Sequence, residues 1–342
     1  MTFISFPGLG IKPFPIRSTF FSVFGIDIAW YGIIICFGLI LGVLYSMFRA
    51  KRNEGVKTDD VIDLAFFLVI FGVIGARLYY VIFKFGDYIK TGFDGSFDLG
   101  KTLLAMINIR EGGLAIYGAI IAGFFTILVF SKVKKIKFLK ILDFVSPAVM
   151  IGQIIGRWGN FMNAEAFGYE TDLPWRMGIH VSGSSDPETL VELSVKYVHP
   201  TFLYESLWNL IGFLIINAIY KKKKFDGQIF FMYIAWYGLG RAFIEGLRTD
   251  SLMLGPVRIS QLIGALAFIA GLVLLIVFAK SNRKSAKIPA GVSTSDINDH
   301  INDAEIVANV ENNGLSDSDS SVNEEVHESD STDDGVENGK NN

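Results

Sequence analysis

The chain has 342 residues, 51% of them hydrophobic and only 19% charged, and its mean hydropathy is +0.42. A soluble domain of this size carries more charge, so the composition excludes an ordinary water-soluble enzyme and points to lipid along most of the length. A lone cysteine, Cys36, excludes an intramolecular disulfide and a cysteine-based metal cage, and the net charge of −3 averages a basic body with an acidic tail.

From the N-terminus, the first stretch carries Pro7, Pro13 and Pro15 and has no basic region before its first long apolar run. It is not expected to be a cleaved signal peptide. Crossing a hydrocarbon core of ~30 Å takes ~20 apolar residues. Runs near that length fall at Ile28–Phe48, Val61–Phe83, Leu114–Phe130, Ile141–Phe161, Phe202–Tyr220, Ile229–Gly246 and Ile263–Phe278, with Gly and ionisable residues interrupting the third and sixth. The expectation is an all-α, polytopic integral membrane protein of about seven transmembrane helices. Gly38/Gly42 and Gly152/Gly156 are small-xxx-small pairs suited to close helix contact, and Cys36 is expected to do no more than pack. Beyond about Asp296 the chain is rich in Asp, Glu, Ser and Asn, with Lys340 its only lysine. Such a segment cannot bury enough apolar surface to offset its ordering entropy. The division expected is a membrane domain over 1–287 and an acidic, disordered tail over 288–342.

Cytoplasmic loops gather Lys and Arg, which sets orientation. Arg49, Lys51 and Arg52 follow the first run; Lys132, Lys134, Lys135, Lys137 and Lys140 separate the third from the fourth; Lys221 to Lys224 separate the fifth from the sixth; Lys280, Arg283, Lys284 and Lys287 follow the seventh. With an odd number of spans these clusters share one side, which puts the N-terminus outside and the C-terminus in the cytoplasm. Asp63 and Asp143 then lie near cytoplasmic helix ends, where water or lysines are expected to solvate them.

The remaining ionisable groups gather in the other leaflet. Arg77 lies late in an outward-running helix, Arg157 near the outer end of the fourth, and Arg241, Glu245 and Arg248 at the outer end of the sixth; Tyr31 and Tyr117 begin inward-running helices. An arginine at mid-helix costs about 2.5–3.5 kcal/mol on insertion scales, so such a gathering needs a reason. Gln153, Arg157 and Asn160 share one helical face at i, i+4 and i+7, as do Arg241, Glu245 and Arg248. Two facing polar stripes form a slot open to the outer leaflet, and guanidinium forks match the phosphate oxygens of an anionic lipid. His180 and His199 are the only histidines outside the tail, and with no second ligand at metal spacing no metal site is expected.

These residues also carry a resemblance. Gly156-Arg-Trp-Gly-Asn-Phe-Met-Asn-Ala-Glu-Ala-Phe-Gly168 is similar to the signature of prolipoprotein diacylglyceryl transferases. Trp30-Tyr31-Gly32, Glu111-Gly112-Gly113-Leu114, His199-Pro200-Thr201 with Tyr204-Glu205, and Arg241 through Glu245 to Arg248 support it in order. The resemblance implies transfer of a diacylglyceryl group from phosphatidylglycerol to the lipobox cysteine of a prolipoprotein signal peptide at the outer leaflet of the bacterial plasma membrane. A thioether forms, glycerol phosphate leaves, and neither a cofactor nor a nucleic-acid partner is implied. Carried over, Arg157 and Arg241 are the essential cations, Tyr31 an essential tyrosine, and Asn160, Glu165, Gly168 and Glu245 supporting residues. Asn163, Arg248 and Arg77 complete the expected lipid-binding set. Two departures stand out: enterobacterial members carry a histidine at the position of Tyr117, the place of a suggested base, and Ala164 stands where glycine is common. Tyr117 is therefore the candidate base here, unless the arginines alone lower the pKa of the substrate thiol, near 8.5 when free.

Transport of a small anion or lipid is a rival reading, but it calls for polar residues through the inner halves of the helices, where they are sparse. A scaffold that recruits partners through its tail leaves the arginine slot without a purpose.

Overall fold

A computed structural model of the chain describes residues 2–91, 96–109, 112–182 and 192–285. The acidic tail, with the boundary expected at 287/288, and Glu111 of the second motif lie outside the described residues. In chain order the elements are strands β1 (Thr2–Phe6), β2 (Ile11–Ile16), β3 (Thr19–Val23) and β4 (Ile26–Ala29), helices α1 (Trp30–Arg49), α2 (Thr58–Phe83), α3 (Phe85–Tyr88), α4 (Leu99–Ile107), α5 (Ile116–Val133) and α6 (Phe138–Met162), strands β5 (Met177–Ser182) and β6 (Glu192–Val198), helices α7 (Thr201–Tyr220) and α8 (Gln228–Ile244), strands β7 (Met253–Leu254) and β8 (Val257–Arg258), and helix α9 (Ile259–Ser285).

Among the described residues six helices are long and apolar enough to cross a membrane: α1, α2, α5, α6, α7 and α9. The sixth expected span, α8, has 17 residues, about 26 Å at 1.5 Å per residue, which falls short of a full hydrocarbon core. Phe66, Ile70, Phe71, Ile74, Leu78 and Phe83 of α2 are exposed, side chains that a water-soluble protein would bury.

The expectation of an all-α chain is corrected by a four-stranded antiparallel sheet in the order β2-β1-β5-β6, with two small hairpins, β3-β4 and β7-β8. Ile4, Ile16, Met177, Ile179 and Val198 of the sheet pack on Phe202 of α7, and Ser5 bonds to the His180 ring at 2.7 Å. The sheet therefore sits at the C-terminal end of α6 and the N-terminal end of α7.

Close helix approaches fix the geometry there. Gly38 and Gly42 of α1 lie close against α6: a Cβ on Gly42 would stand 3.1 Å from the Ala148 carbonyl oxygen and one on Gly38 3.6 Å from Gly152 Cα, whereas a Cβ on Gly152 would meet nothing within 4 Å and one on Gly156 would meet the Ile35 side chain at 3.3 Å. Between α7 and α8, Trp208 and Trp236 stack with centroids 4.4 Å apart. Each indole N–H donates to the other's carbonyl, at 3.0 and 2.9 Å. This reciprocal clasp sets the register between Glu205, one turn before Trp208, and Arg241, beyond Trp236.

A buried polar cluster closes the other end of the bundle, and in it Asp143 meets a lysine, one of the two partners expected, while burial keeps water away. That carboxylate is completely buried. It accepts the backbone N–H groups of Gly227 and Phe230 at 2.8 and 3.0 Å, capping α8, and pairs with Lys223 at 3.0 Å. Lys223 also pairs with Glu54 at 2.6 Å, and Glu54 accepts the Tyr220 hydroxyl at 3.1 Å. Burial alone would lower the Lys223 pKa, but the two carboxylates hold it above its ordinary value. Asp63 also meets a lysine, Lys134, at 2.7 Å.

Candidate active site

The motif around Arg157 occupies the end of α6 and the turn after it. Arg157 Nη1 donates to Asn160 Oδ1 at 3.3 Å. Beyond Met162 the chain doubles back through left-handed backbone at Ala164 (φ 49°) and Ala166 (φ 56°), conformations that L-residues adopt at a cost. This reversal aims Glu165 at the helix it has just left, where it accepts from Asn160 Nδ2 at 2.8 Å and Asn163 Nδ2 at 3.3 Å. The αL geometry at 164 is the physical reason glycine suits that position.

Gly168 then joins three segments. Its N–H donates to the His199 carbonyl at 3.0 Å, and Tyr169 N–H donates to the Leu247 carbonyl at 2.9 Å. A Cβ on Gly168 would lie 2.7 Å from His199 Cβ and 2.8 Å from the Leu247 carbonyl oxygen, so any side chain would push these segments apart. The α6 turn, the start of α7 and the chain beyond α8 are thus pinned together. The third segment is not the continuous helix that the i, i+4, i+7 spacing suggests: α8 ends at Ile244, a 3₁₀ turn covers Glu245–Leu247, and Arg248 is extended at φ −81°, ψ 147°.

Glu205, in the first turns of α7, is the centre of the arrangement. Its Oε2 lies 2.5 Å from Arg157 Nη2 and 3.2 Å from Arg241 Nη1, and its Oε1 lies 3.1 Å from Arg248 Nη1. Arg241 Nη2 reaches Glu245 at 2.6 Å, so the simple i,i+4 pair is present but is only one edge of a network. Arg248 is held on its outer side by Asp250 at 2.8 Å. Burial works against the charge of Asp250, and the hydrogen bonds from Arg248 nevertheless hold its carboxyl below the usual range. Three guanidinium groups therefore meet three carboxylates, and the cluster is close to electroneutral before any ligand arrives. Side-chain exposure separates the arginines: Arg248 is 10% exposed, whereas Arg157 and Arg241 keep 20% and 17%. Each guanidinium has five N–H donors, and the contacts above commit two on Arg157 and two on Arg241, leaving donors on both to face a ligand.

The other expected residues divide. Tyr31 packs on the same helix as Arg157: its ring lies against Gly159, two residues further on, where an added Cβ would stand 2.7 Å from Cδ2. Arg77 stands apart, with its guanidinium donating to the carbonyls of Ala105, Met106, Asn108, Gly112 and Gly113 at 2.7–3.0 Å. It organises the chain between α4 and α5. The Glu111-Gly112-Gly113 motif supplies this contact: Gly112 and Gly113 adopt φ of 85° and 79°, and a Cβ on Gly113 would lie 2.4 Å from the guanidinium. Tyr117 faces Tyr79 across α2 and α5, ring centroids 6.4 Å apart, and among the described residues makes no hydrogen bond to the arginine network. His199 meets the Tyr204 hydroxyl at 3.3 Å, and burial pushes its imidazole below its ordinary pKa. Among the described residues no group of His, Cys, Asp and Glu could hold a metal ion.

Glu205 is the residue that sequence reasoning missed as a site member, although it lies inside a quoted motif. A signal was present: it is an acid in the first turns of an apolar helix, at the same depth as Arg157 and Arg241, and a buried acid at that depth needs a cation.

Comparison with known proteins adds the chemistry. Residues 18–277 match the family model described as prolipoprotein diacylglyceryl transferase. A Clostridioides difficile protein named phosphatidylglycerol–prolipoprotein diacylglyceryl transferase is 43% identical over 265 residues, covering 78% of this chain and 96% of that protein. Proteins of the same name from Finegoldia magna and Listeria innocua are 46% and 39% identical over 266 and 272 residues, covering 97% and 91% of their own lengths and 78% and 79% of this one.

Proposed function

The chain belongs to the prolipoprotein diacylglyceryl transferase family, and on that premise we propose that Arg157 and Arg241, fixed on one oxygen of Glu205, form the clamp for the phosphodiester of phosphatidylglycerol. It is a transferase of lipoprotein biosynthesis, moving diacylglyceryl from phosphatidylglycerol to a prolipoprotein. The observation that carries the site assignment is the shared Glu205 Oε2, at 2.5 and 3.2 Å from the two guanidinium groups. It sets two planar forks side by side with donors left over, which suits two-point recognition of phosphate.

In this reading the lipobox cysteine thiolate attacks the glyceryl carbon that bears the phosphate oxygen. The C–S bond forms, the C–O bond breaks, and its electron pair passes to the phosphate oxygen. The products are a thioether and glycerol phosphate, which carries one more negative charge than the headgroup did. Donors held by Glu205, Glu245 and Asn160 need no reorganisation as that charge develops, which is where preorganised electrostatics lowers a barrier most. The thiol proton is lost beforehand. With Tyr117 outside the network, the arginine field favours the thiolate directly and the proton passes to water.

We read α8, extended by the 3₁₀ turn after it, as the seventh crossing, with the lysine clusters in the cytoplasm and the arginine network in the outer leaflet of the plasma membrane. Reporter fusions after Lys137 and after Lys224 should both report cytoplasm; an external signal at either removes this topology. The direct test of function incubates the purified chain with phosphatidylglycerol and a lipobox peptide. The peptide should gain the diacylglyceryl mass as glycerol phosphate appears in equal amount, and an unmodified peptide would reject the reading.

A further inference from the structure

A cleft of about 400 Å³ opens where the corner between β2 and β3 meets the C-terminal end of α6, with Thr2, Arg17, Ser18, Thr19 and Asn163 among its walls. Its volume falls within the ~300–1,000 Å³ usual for small-ligand sites. Its cation, Arg17, has neither an ion-pair nor a hydrogen-bond partner among the described residues. That sets it apart at this end of the molecule. Arg157, Arg241 and Arg248 are tied to carboxylates, and Arg77, Arg176 and Arg258 to backbone carbonyls.

A continuous polar track joins this cleft to the clamp. Arg157 donates to Asn160, Asn160 and Asn163 both donate to Glu165, and Asn163 is itself a wall of the cleft. From Arg157 to Asn163 is six residues, about 9 Å along the helix axis. The reaction makes an extra anionic charge at the clamp, whose own arginines are already balanced by carboxylates. The product thus leaves a nearly neutral cluster, and the track ends at a cleft whose guanidinium, Arg17, is uncommitted among the described residues.

We propose that the Arg17 cleft is a second binding site, taking a phosphoglycerol group: Arg17 holds the phosphate, and the hydroxyls of Thr2, Ser18 and Thr19 with the Asn163 amide hold the glycerol hydroxyls. The inference rests on the transfer reading for the origin of its ligand, either released glycerol phosphate or the headgroup of a lipid still intact. Binding of labelled glycerol phosphate to the full chain in phosphatidylcholine nanodiscs tests it without turnover. Arg17→Ala should weaken binding at least tenfold, Arg17→Lys should stay within about threefold of the parent, and Arg157→Ala should retain the cleft's binding. Charge-assisted contacts of this kind justify that size of effect. Transfer kinetics then distinguish the source. An unchanged KM for phosphatidylglycerol with weaker inhibition by glycerol phosphate in Arg17→Ala assigns the cleft to the free product; a KM that rises in step assigns it to the lipid headgroup. Parent-like glycerol phosphate binding by Arg17→Ala, or binding lost only in Arg157→Ala, overturns the proposal. An unmodified peptide with the parent chain would instead reject the transfer reading, while the binding result still decides the cleft.

Discussion

Glu205→Gln is the sharpest perturbation of the network because it keeps the shape and removes the charge. Glu205 is buried and receives Arg157, Arg241 and Arg248 at 2.5, 3.2 and 3.1 Å. The amide leaves one acceptor oxygen and turns an NH₂ toward at least one guanidinium, so a donor meets a donor. Removing one partner from a buried ion-pair network costs about 3–5 kcal/mol. If about 3 kcal/mol of that is felt as misplacement of the clamp in the transition state, kcat falls ~100-fold, at 1.36 kcal/mol per decade. Ground-state binding should move differently. The released arginines meet the phosphodiester with less competition, so KM for phosphatidylglycerol should hold or fall while kcat collapses. A residue that acted only on folding would lower abundance and leave this split absent. Initial rates of peptide modification against lipid mole fraction, normalised to inserted protein, measure both constants. Glu205→Asp should recover part of kcat. A Glu205→Gln protein with more than about a third of the parent kcat would refute the argument that this carboxylate positions the clamp.

Lysine keeps the charge of arginine but loses the planar fork, so Arg157→Lys and Arg241→Lys should each lower transfer tenfold or more and the alanine proteins should show none, at equal membrane abundance. Near-normal transfer by both alanine proteins would end the mechanism. Tyr117→Phe should retain most of the activity, since among the described residues the hydroxyl has no hydrogen bond to the network; a large loss would restore Tyr117 as the proton acceptor. Ala164→Gly relieves a left-handed residue at φ 49° and should raise the thermal midpoint in detergent by about 1–2 °C with transfer unchanged, the αL cost for an L-residue being ~1 kcal/mol. A lowered midpoint would show that the alanine methyl packs to greater effect than its backbone strains.

What could be read ahead of the structure followed the physics of one helix at a time. Apolar length placed α2 within three residues of Thr58–Phe83 and α7 within one of Thr201–Tyr220, because lipid demands unbroken apolar runs. The Gly38/Gly42 pair of α1 declared a close helix contact correctly, while Gly152 of α6 has room for a side chain. The grouping of Arg157, Arg241 and Arg248, drawn from their expected depth, matches the structure, where all three meet on Glu205. Partnership was not legible. Glu205 reaches three arginines through the packing of α6, α7 and α8, and helical periodicity assigns a face without naming what the face meets. Arg77 shows the same gap from the other side: its depth suggested the lipid site, while its direction, toward the carbonyls of 105–113, belongs to tertiary structure. The sheet escaped because β1 finds its partner in β5, some 175 residues away, and a five-residue alternation is too short to stand out beside long apolar runs.

Two buried charge clusters occupy the two ends of the bundle, and their difference is why we propose the site at only one of them. At the Lys223 end, the ammonium is surrounded by Glu54, Asp143 and Asp226, and Asp143 is saturated by that lysine and by two backbone N–H groups. Charges arranged so completely hold α1, α6 and α8 in place and offer a ligand nothing. At the Arg157 end the acids sit beneath the arginines: Glu205 and Glu245 are almost fully buried, while the outer edges of Arg157 and Arg241 remain partly open. The carboxylates there cancel the cost of placing guanidinium groups at membrane depth without covering the donors that face outward. In the proposed mechanism such an arrangement would bind an incoming anion moderately and stabilise most the extra charge that appears as the C–O bond breaks, which is the condition for lowering a barrier rather than merely holding a substrate.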